Sequence, residues 1–174
     1  YSNPHAIIMA VIFSIPILLV LLVLQSTVAS KVTLLNGTAD LLLVWLAAWA
    51  LSSKDRSGYI LAGIAGALVS YITAIPWYIY LSAYLLVILL ARYFSQKLWE
   101  SPLLAMLIII MIASIYLYTF TFIGLRIKGV DYPLSISLNQ VIIPSVFLNL
   151  FIAIPVFAIA KDFSKWFYRL ENAS

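Results

Sequence analysis

The chain has 174 residues, of which 65% are hydrophobic and only 9% are charged. A soluble domain averages roughly 45–50% apolar and about 25% charged residues, so ten basic and six acidic side chains are too few to cover a water-facing surface of this size. With no cysteine, the composition also excludes a disulfide scaffold. What remains is a polytopic integral membrane protein, with room for about six spans of roughly 20 residues each and for no separate soluble domain.

The first predicted span covers residues 7–24. Small residues follow it at Val28-Ala29-Ser30, as they would follow a signal peptide. A signal core is only about 7–15 residues long and comes after a basic segment, which is absent here. We therefore expect a retained helix, kinked at Pro16 where one backbone hydrogen bond is lost.

The second predicted span covers residues 39–51 and follows a turn at Asn36-Gly37. Thr38 is the expected N-cap, and Asp40 falls in the first helical turn, where a negative charge meets the positive helix end. Two interpretations of Asp40 stay open. It either stabilises the helix start at the outer interface, or it orders loops and receives a group of a partner there.

The third and fourth predicted spans, residues 58–75 and 77–91, form a helical hairpin, because the turn before Trp77 carries no charge. Small residues recur every fourth position on the third span, at Ala62, Gly66 and Ser70, with Gly63 beside them. Such a pattern lets helix backbones approach closely inside a membrane, so we expect this face to pack on protein.

The fifth predicted span covers residues 103–125, after Ser101 as N-cap and Pro102 at the first helical position. The sixth covers residues 137–160 and is interrupted by Pro144 and Pro155. The aromatic and basic residues of 161–171 predict an amphipathic helix that lies on the membrane surface.

The distribution of basic residues predicts the orientation. With six spans and an internal amino terminus, seven bases fall on the inner side and three on the outer side. Because Lys and Arg are enriched on the cytoplasmic side of membrane proteins, both termini are expected in the cytoplasm. The inner set is Lys54, Arg56, Arg92, Lys97, Lys161, Lys165 and Arg169; the outer set is Lys31, Arg126 and Lys128.

The residue inventory favours a protein without catalytic activity. His5 is the only histidine, the six carboxylates lie on different segments, and no hydrolase, metalloprotease or phosphate-loop motif is present. No ionisable residue is expected at the centre of a span, which disfavours an ion-coupled pump. We therefore expect no enzyme activity, no cofactor, no metal and no nucleic-acid partner. Asn149 is expected either to bond a neighbouring helix or to satisfy a carbonyl freed by a proline.

The last span, with Pro144, Asn149 and Pro155 in an apolar helix, resembles the carboxy-terminal span of the MreD family of bacterial rod-shape-determining membrane proteins. Ala39-Asp40-Leu41-Leu42 resembles the family's Pro-Asp-Leu start of the second span, with alanine in place of proline. Gly63-Ile64-Ala65-Gly66 is similar to the glycine-patterned third span, although the acidic residue often found near its outer end is missing. Length, span number and a short basic tail match over the whole chain.

The resemblance implies a non-enzymatic subunit of the cell-elongation machinery in the bacterial cytoplasmic membrane, where it helps organise lateral peptidoglycan synthesis and cell shape. Its partners would be the bitopic scaffold MreC and, through the complex, a RodA-type glycosyltransferase and a class B penicillin-binding transpeptidase. Residues expected to bind a partner or to support the structure are Asp40, Gly63, Gly66, Pro144, Asn149 and Pro155.

The same family is similar in fold to the substrate-binding subunits of energy-coupling-factor vitamin transporters, and this likeness supplies an alternative function. Ala6 and Ala10 form a small-residue pair of the kind that docks a coupling protein, although it serves any helix contact equally. A transporter subunit also needs a polar pocket that opens outward. The candidates for its lining are Asp40, Trp77, Tyr84, Asn139 and Gln140.

Overall fold

A computed structural model of the protein describes residues 4–29, 37–53, 56–98, 100–131 and 133–171. Every regular element in these ranges is helical, which confirms the predicted all-α class. Asn36, Lys54 and the extreme carboxy terminus lie outside the described residues. The elements are α1 (Pro4–Leu24) with a π-helical end (Gln25–Ala29), α2 (Leu41–Ser52), α3 (Ser57–Ile72), α4 (Trp77–Lys97), α5 (Pro102–Ile127), the single turn α6 (Leu134–Ile136), a π-helical segment (Ser137–Ile142) and α7 (Ile143–Glu171).

Four helical stretches in the described part of the chain are long and apolar enough to cross a membrane. They are Ile7–Thr27, Trp77–Lys97, Pro102–Ile127 and Leu134–Phe167. α2 and α3 are also apolar but have only 12 and 16 residues, which corresponds to about 18 and 24 Å of helix. Both are shorter than a hydrocarbon core of about 30 Å. The helices are therefore those expected of a membrane protein, with two that are shorter than a full span.

α2 is the central helix of the bundle. Eight consecutive side chains, from Leu42 to Trp49, are buried, and the helix contacts α1, α3, α4, α5 and α7. A helix that is apolar all round is expected in the interior of a protein or in a membrane. Here α2 is surrounded by other helices of the same chain, so it offers little surface to lipid.

The predicted hairpin of α3 and α4 depends on a close approach at Gly66. A Cβ atom built on Gly66 would lie 3.1 Å from the Cα atom of Leu81 and 3.2 Å from its Cδ1 atom. Glycine favours this approach because a Cβ atom here would be tightly crowded, so that Leu81 would have to move by a few tenths of an ångström. α4 begins at Trp77 as predicted, but it continues to Lys97, beyond the expected end at residue 91.

α7 continues without a break to Glu171, so the tail expected as a separate surface helix is its last part. The ring of Phe163 lies 5.9 Å from that of Trp49, and the ring of Phe167 lies 6.5 Å from it. These two aromatic side chains, one turn apart, hold the end of α7 against α2. The physical reason for the difference from the prediction is thus burial of the apolar face of the tail on protein.

The predicted interruption of the last span takes the form of the π-helical segment that comes before Pro144. Proline has no N–H to donate to the preceding turn, so one hydrogen bond of the helical ladder is lost at each proline. A π-helical turn is one way in which a helix accommodates such a local mismatch. Pro144 is buried in the first turn of α7. The predicted interruption at Pro155 is wrong, because α7 continues through this exposed residue with the loss of a single backbone hydrogen bond.

Candidate functional site

Asp40 begins α2 as its N-cap, in place of the predicted Thr38. One carboxylate oxygen accepts a hydrogen bond from the N–H of Leu43 at 2.9 Å. The hydroxyl of Tyr84 donates to both oxygens, at 3.1 and 3.0 Å. Because a carboxylate both accepts the free N–H groups of the first turn and suits the positive helix end, it is an effective cap. Asp40 thereby fixes the start of α2 and joins it to α4.

Asn149 occupies the other side of the same cluster and is fully buried. Its side-chain oxygen accepts from the backbone N–H of Asp40 at 2.7 Å. Its amide nitrogen donates to the hydroxyl of Ser114 at 2.9 Å and approaches the hydroxyl of Tyr118 at 3.5 Å. One amide on α7 therefore connects the start of α2 with α5. Of the two roles expected for Asn149 from the sequence, this is hydrogen bonding to neighbouring helices.

The segment that leads into α2 crosses α7 in close contact. The N–H of Thr38 donates to the hydroxyl of Ser145 at 2.9 Å, and the hydroxyl of Tyr118 donates to the carbonyl of Thr38 at 2.7 Å. A Cβ atom on Gly37 would lie 2.7 Å from the Cβ atom of Pro144 and 2.8 Å from the backbone nitrogen of Ser145. Only glycine permits this approach without a shift of backbone.

The polar cluster lies at mid-length of the apolar bundle, and not at its outer end as predicted for Asp40. Ser114 is near the middle of α5, and Asp40 is only 3% exposed. The cause is the length of α2, which is about 18 Å long. Its last residues lie beside the end of α4 and the start of α5, so its first residues reach only part of the way through the bundle. An ionisable side chain therefore lies deep inside the bundle, contrary to the expectation from sequence.

Four other residues were expected from the sequence to bind a partner or support the structure, and only some of them make close contacts within the chain. Gly66 and Pro144 make contacts within the chain, with Leu81 and Gly37 respectively. A Cβ atom on Gly63 would meet nothing within 4 Å, and Pro155 is exposed. Asp40, Pro144 and Asn149 are thus brought together in one place, whereas Gly63, Gly66 and Pro155 are not part of it.

Sequence reasoning did not single out Ser114, Tyr118 and Ser145, which complete the cluster. A signal was nevertheless present. Ser114 and Tyr118 are four residues apart on α5, and Ser145 and Asn149 are four residues apart on α7. Residues at that spacing share one face of a helix, and a pair of polar side chains on one face of an apolar helix predicts a contact with another polar group.

An open apolar groove runs between α5 and α7 on the outer surface of the bundle. Its volume is about 680 Å³. The aromatic side chains of Phe147 and Phe151 border it and are 62% and 78% exposed, although Asn149 between them is buried. The groove is lined by Leu107, Ile108, Met111, Phe147, Leu148, Leu150, Phe151 and Ile154. Its lining is apolar throughout, so its occupant must be apolar as well.

The five residues proposed for a transporter pocket do not meet in one place. Asp40 and Tyr84 bond each other inside the bundle. Trp77, Asn139 and Gln140 are exposed. The apolar groove has none of the five in its lining, and the polar atoms of the Asp40–Tyr84 pair are used within the protein.

Comparisons of the chain with protein-family models, with curated proteins and with solved structures find no match.

Proposed function

We propose that this chain is a non-enzymatic membrane subunit of the MreD type, which binds the transmembrane helix of MreC and helps to organise lateral peptidoglycan synthesis. The observation that carries the proposal is the apolar groove between α5 and α7. It is open along the surface, it has no polar lining residue, and two phenylalanine side chains project at its edge. MreC bound in this groove would connect the chain to the RodA-type glycosyltransferase and the class B transpeptidase.

The groove is suited to a helix because of the residues that form it. Phe147, Phe151 and Ile154 follow one another at spacings of four and three on α7, so they form a ridge along one face. A facing helix could pack its side chains on either side of such a ridge. In lipid, this close packing is what drives helix association, because apolar burial alone gains little there.

The buried cluster supports the proposal by holding one wall of the groove in place. Asn149 lies between the two phenylalanines in sequence but points into the bundle, where it bonds Asp40 and Ser114. These bonds fix the rotation of α7 about its axis, and hence the direction in which Phe147 and Phe151 project. The Pro144–Asn149–Pro155 pattern that resembles the family would then serve to present the groove.

We further propose six spans in the bacterial cytoplasmic membrane, with both termini in the cytoplasm. The four long apolar helices support a membrane location, and the seven-to-three distribution of bases supports the orientation. In this proposal the short helices α2 and α3 count as spans. α2 can be short because other helices cover it and because the segment from Gly37 to Asp40 extends α2 toward the outer side.

The test is coexpression with MreC, followed by affinity capture of the chain in mild detergent and quantification of the MreC that is retained. The double variant Phe147→Ala/Phe151→Ala removes the ridge without disturbing the buried cluster, and we expect it to retain several-fold less MreC. Phe120→Ala is the matched control, since Phe120 is also exposed on the bundle but does not line the groove. All variants should first be shown to be monodisperse.

Two results would contradict the proposal. One is failure of the unmodified chain to retain MreC. The other is equal retention by the double variant and the Phe120→Ala control. Capture of a pair of ATPases with a coupling protein, together with tight binding of a vitamin-sized molecule, would instead establish the transporter alternative.

A further inference from the structure

A second cavity, of about 710 Å³, lies at the end of the bundle where α2 and α4 finish and α5 starts. α7 closes one side of it, and the hydroxyl of Ser164 on α7 donates to the carbonyl of Ser52 at the end of α2, at 3.3 Å. This cavity is far from the Asp40 cluster, since it is at the opposite end of α2. It differs from the groove between α5 and α7 because polar and charged side chains contribute to its lining.

The cavity is basic. Arg92, Lys161 and Lys165 line it, and the described lining residues include no acid. Lys161 and Lys165 are one helical turn apart on α7, where two like charges repel each other. Converging positive charges in a cavity with low-dielectric walls attract an anion strongly. The electrostatics therefore favour a negatively charged ligand.

Ser53 supplies an independent observation at the same place. It lines the cavity, it is only 9% exposed, and its hydroxyl has no hydrogen-bond partner within the described structure. A buried hydroxyl without a partner costs free energy, which a water molecule, an ion or a ligand in the adjoining cavity would recover. An anionic oxygen in the cavity would accept this hydrogen bond while it pairs with the lysines.

Part of the lining is apolar, beside the polar residues Ser52, Ser95, Gln96 and Ser164, and this apolar part separates a lipid from a free ion. Leu51, Leu98, Pro102 and Phe157 line the cavity together with the charged side chains. An inorganic anion would gain nothing from them, whereas the glycerol and acyl portion of a phospholipid would bury apolar surface there. Basic pockets between membrane helices commonly hold the headgroups of anionic lipids.

We propose that this cavity binds the phosphate group of an anionic phospholipid, with Lys161 and Lys165 facing the phosphate and the hydroxyl of Ser53 donating to one of its oxygens. Arg92, whose guanidinium group lies 4.7 Å from the centre of the Tyr59 ring, adds positive charge at the wall of the cavity. The proposal is independent of MreC binding, because the cavity and the groove between α5 and α7 share no described lining residue.

The test uses the full chain in micelles that contain equal amounts of phosphatidylglycerol and phosphatidylcholine, with bound lipid counted by native mass spectrometry. We expect the unmodified chain to retain phosphatidylglycerol preferentially. Lys161→Gln/Lys165→Gln should weaken this retention by about thirtyfold, the effect expected for two bases at an anionic surface. Lys97→Gln is the control, since Lys97 lies at the same end of the bundle but outside the cavity.

Ser53→Ala separates ligand binding from a structural role. It should reduce retention of phosphatidylglycerol while the thermal stability of the lipid-free protein stays the same or increases, because a hydroxyl without a partner has been removed. A loss of stability without a change in lipid retention would overturn the assignment of Ser53 to the ligand.

Three further results would overturn the proposal. They are equal retention of the two lipids by the unmodified chain, unchanged retention by the double lysine variant, and a loss in Lys97→Gln as large as in the double variant. A parallel arm adds inorganic phosphate in excess over the lipid. Displacement of phosphatidylglycerol by phosphate would show that the site takes a free anion, and would overturn the assignment to a lipid.

Discussion

The backbone N–H of Asp40 donates to the side-chain oxygen of Asn149 at 2.7 Å, across 109 residues of sequence. This bond joins the start of the central helix α2 to the second turn of α7. The carboxylate of Asp40 is at the same time held by Tyr84 of α4. Three helices, α2, α4 and α7, are thus fixed to each other at one point inside an otherwise apolar bundle.

Asn149→Leu should destabilise the protein by about 1–3 kcal/mol, because it leaves the buried N–H of Asp40 and the hydroxyl of Ser114 without their partner. Ser114→Ala is the control. It removes only one bond of the amide, which still has Tyr118 within 3.5 Å, so the loss should be smaller. Thermal unfolding in detergent, followed by tryptophan fluorescence, measures both. Equal midpoints for Asn149→Leu and the unmodified protein would contradict the role given to this amide.

Asp40→Asn should be tolerated better than Asp40→Leu. Asparagine keeps a side-chain oxygen that accepts from Leu43 and Tyr84, whereas leucine leaves both donors unpaired in the interior. If the hydroxyl of Tyr84 acts through Asp40, the effects of Asp40→Leu and Tyr84→Phe on the unfolding midpoint should be less than additive in the double variant. Loss of MreC retention in a well-folded Asp40→Asn variant would point instead to a role of the negative charge itself.

Gly66→Leu and Gly63→Leu form a matched pair on α3. A side chain at Gly66 would collide with the backbone of Leu81, so we expect destabilisation of about 1–3 kcal/mol, as is typical of overpacking. A Cβ atom at Gly63 meets nothing within 4 Å, so the substitution there should cost much less stability than Gly66→Leu. The comparison of the two unfolding midpoints tests the α3–α4 contact, and similar losses in both variants would contradict it.

The topology can be tested with single cysteines, because the sequence contains none. Ser95→Cys, near the end of α4, should be protected from a membrane-impermeant thiol reagent in intact cells. Val130→Cys, after the end of α5, should react. Both positions are exposed. Because Ser95 also lines the basic cavity, Ser95→Cys should become reactive once the membrane is permeabilised, which distinguishes its side of the membrane from cover by a bound ligand. Labelling of Ser95→Cys from outside would contradict a cytoplasmic location for this end of the bundle.

Composition and hydrophobic run length are enough to predict an all-helical chain and most helix starts, including Trp77 and Pro102. The helix ends are predicted less well, since α4 and α7 continue past the expected residues. The reason is that polar and amphipathic turns extend a helix whenever a neighbouring element covers their apolar face, as Trp49 covers Phe163 and Phe167.

The sequence by itself determined that Asp40 and Asn149 are unusual, since each is a polar residue in an apolar run. It could not determine that they meet, nor that Asp40 lies deep in the bundle. In an apolar helix, hydrophobicity does not distinguish the face that packs on protein from the face that meets lipid, so neither the groove at Phe151 nor the cavity at Lys161 is visible in the pattern. Only the packing of α2 against α4, α5 and α7 decided these positions, because a short central helix must begin where its partners can satisfy the free N–H groups of its first turn.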